Sequence, residues 1–293
     1  MVSTSRSKVL ARKEAVTAYL FLAPALLFFI GFVIVPMGIA IFSSFYNYGL
    51  DTFSFTGLTN YMRMLSDPVF FIALKNTILI VGVAVPVVTA FSLWVATVIN
   101  PMKAMSRSFY RCIFYLPVVT GSVAVTVVWK WMFNSYTGLL NSVLGTTGYN
   151  WLGQEKTAIW CIILILFTTS IGQPIVLYVA ALGNVDQSLI EASKVDGANN
   201  FEVFWKIKWP QMMPTTLYIL VITTINSFQC FALIQLLTSG GPNNSTQTIM
   251  YYIYYQAYRL GDFGYGNAMG VVLAAIIALF SAVQFFLARS DQE

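Results

Sequence analysis

The stretch DQSLIEASKVDGANNFEVFWKIKWPQMMP, residues Asp186 to Pro214, lies between two strongly apolar runs. Leu189, Ile190 and Ser193 recur at helical spacing, and Asp196-Gly197 is a turn signal, because glycine accepts positive φ without steric cost. Asn199 followed three residues later by Glu202 reads as a capping pair that opens a second short helix. Along that helix Phe201, Phe204, Trp205 and Lys208 fall at i, i+3, i+4 and i+7, which predicts a single aromatic face. Pro210 and Pro214 then mark the start of the next apolar run. The segment therefore reads as helix, glycine turn, helix. Its apolar groups either lie against the chain's own bundle or plug a groove on a soluble partner.

Working outward, the chain is unlike a soluble domain. Of its 293 residues 58% are hydrophobic and only 9% charged, with 7 Trp, 16 Tyr and 23 Phe. Too little polar surface is available to cover a globule of this size. About 20 mostly apolar residues span the hydrocarbon core as a helix, and six such stretches are present. They run from Ala18 to about Phe45, Phe70 to Ile99, Phe109 to Phe133, Ala158 to Leu182, Thr215 to Leu237 and Asn267 to Ala288. The expected fold class is an all-α integral membrane protein with six transmembrane helices. Its parts are a cytoplasmic tail at 1–17, a six-helix transmembrane domain at 18–288 and a second cytoplasmic tail at 289–293.

The first stretch follows Arg6, Lys8, Arg12 and Lys13. It is far longer than the roughly 7 to 15 residues of a signal-peptide core and lacks an A-x-A site, so it reads as an uncleaved span. On the side of Asp186–Lys208 lie Arg6, Lys8, Arg12, Lys13, Lys103, Arg107, Arg111, Lys194, Lys206, Lys208 and Arg289, eleven of the 16 basic residues. Arg63, Lys75, Lys130, Lys156 and Arg259 make the other five. The positive-inside rule then places both termini in the cytoplasm, in a cell (plasma or inner) membrane. Pro86 and Pro174 sit inside spans, where neighbouring helices re-satisfy the freed carbonyls.

Several chemistries are excluded. With no histidine, nucleophile systems and zinc sites that need an imidazole are absent. Cys112, Cys161 and Cys230 sit in apolar runs without metal-ligand spacing and read as small buried hydrophobes, so no metal is expected. No G-x-x-x-x-G-K-[ST] loop occurs, so this chain does not hydrolyse ATP. The 11 acidic residues fall in loops or tails, which speaks against ion coupling through a buried carboxylate. An uncoupled, stand-alone facilitator or secondary transporter of a small polar solute remains the alternative.

Glu191-Ala192-Ser193, Asp196-Gly197-Ala198, Phe204, Ile207, Pro210 and Pro214 resemble the EAA signature, E-A-A-x-x-D-G-A then I-x-L-P, of permease subunits of ATP-binding-cassette importers. Ser193 stands for the third residue Ala, and Trp209 for the Leu before the proline. Asn76-Thr77, Leu116-Pro117, Trp129-Lys130-Trp131 and the string Leu233 to Pro242 are similar to the carbohydrate-uptake branch of that family. The resemblance implies a type I (MetI-like) transmembrane domain and a heterodimer with a second permease. It also implies two cytoplasmic ATPases that carry ATP and Mg, no cofactor on this chain, and an extracytoplasmic substrate-binding protein. Glu191, Ala192, Ser193, Asp196, Gly197, Ala198, Phe201, Phe204, Ile207 and Pro210 would then couple the ATPases to the spans, within a loop of about 186–210.

For a solute path the candidates are polar groups at mid-span depth, which need a partner or a wet cavity. These are Thr169, Ser170, Gly172 and Gln173 on the fourth span, with Asn226 and Gln229 on the fifth. In the maltose-type permeases the sugar pocket forms at these depths, and Gly172 falls where that family has a glycine beside it. Helix-to-helix hydrogen bonding explains the same residues equally well. Outside the membrane, Ser239-Gly240-Gly241-Pro242 predicts a tight turn. Tyr251, Tyr254, Tyr255 and Tyr258 beyond it predict a short interfacial helix.

Overall fold

The computed structural model describes residues 3–290, with side chains over 14–286. Residues 1–2 and 291–293, and the side chains of Arg6, Lys8, Arg12, Lys13 and Arg289, lie outside the described residues. The first span is α1 (Ser3–Phe29), a π-helical turn at Ile30–Ile34, and α2 (Val35–Ser43). Helix begins at Ser3, within the expected N-terminal tail, and runs on into the span. A hairpin of β1 (Tyr46–Tyr48) and β2 (Phe53–Phe55) follows, antiparallel with Tyr46 opposite Phe55. Next come α3 (Thr59–Ser66) and α4 (Pro68–Ile99), the second span. At about 1.5 Å per residue, these 32 residues exceed the hydrocarbon core's roughly 30 Å.

The third span is α5 (Ala104–Val119) and α6 (Ser122–Met132), bent by 96°. A continuous span over Phe109–Phe133 was expected, so this is a correction. Its cause is local: Pro117 removes a helix donor, Val118, Val119 and Thr120 are β-branched, and Gly121 is the poorest helix former after proline. After α7 (Leu139–Leu144), the fourth span is α8 (Glu155–Ser170) and α9 (Gly172–Gly183), bent by 40°. Pro174 has no N–H for the Ser170 carbonyl four residues before it, which opens the ladder at that point. The segment between the fourth and fifth spans contains α10 (Gln187–Val195), α11 (Asn200–Val203) and a π-helical turn at Phe204–Lys208. The fifth span is α12 (Trp209–Phe228), interrupted at 229–231 before α13 (Ala232–Leu237). Finally α14 (Ile249–Tyr254) and a π-helical turn at Tyr255–Arg259 lead to α15 (Phe263–Ser290), the sixth span.

Helix α4 is the axis of the bundle and touches α8, α9, α12 and α14. Ile80, Ile162 and Ile165 are fully buried on one side of the bundle, with Val88, Ile175, Tyr178 and Ile219 on another. The first span behaves differently. Every residue from Glu14 to Ile39 is exposed, and only its end, α2, rests against α15.

The corner between the start of α4 and the turn after α13 is tied by side chains that reach far along the chain. Asn76 donates to the carbonyls of Asn244 and Gln247 at 3.1 and 3.0 Å, and the Ile249 amide donates to Thr77 Oγ1 at 3.0 Å. These bonds explain the Asn76-Thr77 pair: it pins the turn that follows α13. In that turn Ser239, Asn243 and Asn244 have φ of 50°, 46° and 59°. The tyrosines beyond it do not form one interfacial stripe. Tyr251 is buried and Tyr254 half-buried, while Tyr255 and Tyr258 are exposed.

Asp67 caps α4 by accepting from the Val69 and Phe70 amides, and its other oxygen accepts from Tyr252 and Tyr265 hydroxyls at 2.6 and 2.7 Å. Arg63 lies 4.1 Å from the Tyr265 ring centre and pairs with Asp262 at 2.6 Å. Burial alone would raise the Asp67 pKa, but the two tyrosine hydroxyls and two amides outweigh it and hold the carboxyl below its usual range. Burial, then the Asp67 hydrogen bond, pushes the Tyr252 hydroxyl up to about 12. A carboxyl with a lowered folded pKa contributes stability that is present above its unfolded pKa, about 3.9, and is lost as pH falls further. Between about pH 5 and pH 3 the thermal midpoint of the wild type should therefore fall more than that of Asp67→Asn. Equal falls would show that the clamp does not depend on the charge.

Candidate coupling loop and solute path

The loop is built from local signals. Asp186 Oδ1 accepts from the Ser188 amide and hydroxyl at 2.9 and 2.8 Å and opens α10. Those bonds also lower the Asp186 pKa. Gly197 has φ +86°, and the Ala198 amide returns to the Ser193 carbonyl at 2.9 Å, which closes the helix end in the left-handed manner. Asn199 Oδ1 accepts from the Phe201 and Glu202 amides, while the Asn199 amide donates to Glu202 at 3.0 Å, so the expected capping box is present. That bond, followed by the Lys206 ammonium, lowers the Glu202 pKa.

Within this frame the candidate residues divide. Ile190 and Val203 are buried with Val185, and Ala198 and Ile207 pack against them. Ser193 turns inward and donates to the Ile190 carbonyl at 2.8 Å. Glu191, Ala192, Asp196, Gly197, Phe201 and Pro210 face outward. The rings of Phe201, Phe204 and Trp205 touch, as the expected aromatic face requires, with centroids 6.1 Å apart for Phe201–Trp205 and 5.4 Å for Phe204–Trp205, but they are not exposed alike. Phe204 packs against the span core with Trp209, whereas Phe201 and Trp205 are 72% and 47% exposed. The π-helical turn beginning at Phe204 departs from the 3.6-residue period on which that face depended. Val195, 88% exposed at the end of α10, is a large apolar group that periodicity gave no reason to select.

At mid-span depth, Thr169, Ser170, Gln173, Thr223 and Asn226 meet around one recess of about 130 Å³, between α8, α9 and α12. Thr223 lies one helical turn before Asn226, and that i, i+3 relation was the available signal for it. Gln229 is exposed at the end of α12 and does not line this recess. Gly172 does not line it either. A Cβ there would run into the Phe114 carbonyl and lie 2.9 Å from the Tyr115 Cα, so the glycine lets α9 cross the α5 backbone. Two further recesses adjoin. One, of about 300 Å³, shares Thr169 and is lined by Thr120, Trp129 and Thr168. The other, of about 500 Å³, shares Gln173 and is lined by Arg111, Cys112, Tyr115, Val176 and Leu177. The three recesses follow one face of the third and fourth spans. The arrangement offers hydroxyl and amide groups to a polar solute and holds no nucleophile with an activating base.

Residues 20–290 match the family described as the binding-protein-dependent transport system inner membrane component. The chain belongs to this family. It is a multi-pass membrane permease, a transport subunit and not an enzyme. A lactose transport system permease, LacF of Rhizobium radiobacter, is 33% identical, with 99% of this permease and 99% of LacF covered. AmyD of Thermoanaerobacterium thermosulfurigenes, named a probable permease for starch degradation products, is 31% identical with 96% of each covered. The crystal structure of a bacterial importer of the acidic polysaccharide alginate has the same fold, with TM-score 0.84 at 22% identity, over 96% of this permease and 98% of that chain. The methionine transporter MetNI shares the fold more loosely, at TM-score 0.57 and 18% identity, over 79% of this permease and 98% of that chain.

Proposed function

We propose that this permease forms, with a second permease, the transmembrane path for a sugar or sugar-like solute delivered by an extracytoplasmic binding protein. Two cytoplasmic ATPases, which hold ATP and Mg, engage the loop at about 186–210. The observation that carries the reading is the recess where Thr169, Ser170, Gln173, Thr223 and Asn226 converge. Neutral hydroxyls and amides of this kind match the donors and acceptors of a sugar, and the relatives' names point to saccharides. The exposed first span supports the second permease: among the described residues every side chain from Glu14 to Ile39 is exposed. That observation also favours a subunit over a stand-alone facilitator. On the loop, the outward Glu191, Phe201 and Trp205 are suited to an ATPase groove.

The path is tested by Gln173→Leu and Asn226→Leu in the assembled transporter. Each should lower solute-stimulated uptake roughly two- to tenfold, the worth of a buried hydrogen bond of about 0.5–1.5 kcal/mol, while basal ATP hydrolysis persists. Uptake at wild-type level in both would leave the polar groups with a packing role only.

Orientation is tested separately. With both termini and the 186–210 loop cytoplasmic, a single cysteine at Gly197 should react only from the inner side and one at Gly241 only from the outer side. Labelling of both from the same side would refute the six-span topology and its tails at 1–17 and 289–293.

A further inference from the structure

Arg111 counted among the basic residues of the cytoplasmic side, but it is the eighth residue of α5. It therefore sits about 10 Å along the helix from the start of the third span. A cation at that depth needs a reason. Its neighbour Arg107 has one, since it donates to the Asn100 carbonyl at 3.3 Å at the end of α4, where the helix dipole is negative. Arg111 is placed otherwise. Its Nη2 donates to Ser108 Oγ at 3.2 Å, and its Nε is buried with no hydrogen-bond partner. Among the described residues no carboxylate pairs with it; the ion pairs are Arg63–Asp262 and Lys206–Glu202. Arg111 instead lines the recess of about 500 Å³ whose other wall includes Gln173, and Gln173 is common to the central recess.

We propose that this recess is an anion-binding site on the inner half of the solute path, where Arg111 takes a carboxylate or phosphate oxygen. The inference rests on the reading of these recesses as the path. An arginine that lines a recess with an unpaired N–H and no carboxylate partner among the described residues is best met by an anionic oxygen, because charge-assisted hydrogen bonds are about twice as strong as neutral ones. The lining otherwise supplies only neutral groups, so Arg111 sets the sign of the potential there. The oxygen comes either from a solute that carries an acid group or from a bilayer headgroup, and the two sources are separable by experiment.

Cys112 lines the same recess and is an exposed free thiol, whereas Cys161 and Cys230 are buried. It is therefore a reporter in place, with Cys112→Ser as the blank. In the assembled transporter in inside-out phosphatidylcholine vesicles, an anionic methanethiosulfonate should label Cys112 faster than a cationic one. Arg111→Gln should slow the anionic reagent and speed the cationic one by about fivefold each, the effect of one charge at contact distance in a wet site, and so shift that ratio by about thirtyfold, and Arg111→Lys should keep it. D-glucuronate slowing the reaction, where D-glucose does not, would assign the oxygen to solute. Slowing only when phosphatidylglycerol replaces the neutral lipid would assign it to a headgroup. An unchanged ratio in Arg111→Gln, or no labelling by either reagent, overturns the site. Vesicles with ATP-driven uptake but no charge preference refute this inference alone. Vesicles with the preference but no ATP-driven uptake refute the importer reading and leave the anion site standing.

Discussion

Gly197→Val in the assembled transporter should cut ATPase co-purification and transport per ATP hydrolysed by about tenfold, while the chain still inserts. No atom lies within 4 Å of the Cβ position at Gly197, so the side chain itself meets nothing. The penalty is in the backbone. At φ +86° an L-residue is disfavoured by roughly 1–2 kcal/mol, and more when β-branched, which is about a factor of ten. Relaxing that strain would reopen the turn between α10 and α11 and separate the outward Glu191 from the outward Phe201. Gly197→Asn is the control, because asparagine tolerates the left-handed region and ends helices in the same way. Near-normal coupling in the asparagine variant and loss in the valine variant would locate the effect in the turn. Normal coupling in the valine variant would mean that this turn does not transmit the ATPase cycle.

The second large effect is expected at Gly172, for the opposite physical reason. Here the backbone angles are ordinary, and the space is already filled by the Phe114 carbonyl, the Val118 side chain and the Tyr115 backbone. Two of these three are backbone, so they cannot swing aside. Gly172→Val should force α5 and α9 apart, at more than the roughly 1–3 kcal/mol of ordinary overpacking. Transport should be abolished and the thermal midpoint of the solubilised chain should drop by several degrees. Gly183→Ala, on the same helix with nothing within 4 Å, should be silent. If Gly172→Ala kept its thermal midpoint and altered only uptake, the crossing would not be what requires glycine, and a direct place beside the solute would be favoured.

What was legible in the sequence was what is encoded locally. Asp196-Gly197 and Asn199-x-x-Glu202 each state a backbone conformation within four residues, and both appear in the structure. The six apolar stretches were legible because bilayer thickness sets a length that few other structures require. The bends were not. Thr120-Gly121 and Ser170-Ile171-Gly172 sit inside runs apolar enough to read as one span, and hydropathy averages over the few residues that break a helix. The hairpin was hidden for a related reason. Tyr46–Tyr48 and Phe53–Phe55 alternate over only three residues each, beside an apolar run that dominates any window. The recess was half legible: Thr169, Gln173 and Asn226 were chosen by polarity and depth, but which of the mid-depth groups face one another depends on how α8, α9 and α12 are rotated. Gln229 failed to join because the helix stops at Phe228. That Arg111 lines a recess was not legible, because a count of basic residues records nearness to a span's end and not which way the side chain turns.

The solitary first span has a thermodynamic corollary. In water an uncovered row that includes Leu20, Phe21, Leu27 and Phe32 would drive collapse, but lipid tails solvate such a row as well as another helix does. The exposed row thus carries no penalty in lipid, and another surface can cover it without displacing α2 from α15. Association along that face is a one-step bimolecular event within the plane of the bilayer, governed by side-chain fit and by how many copies share the membrane.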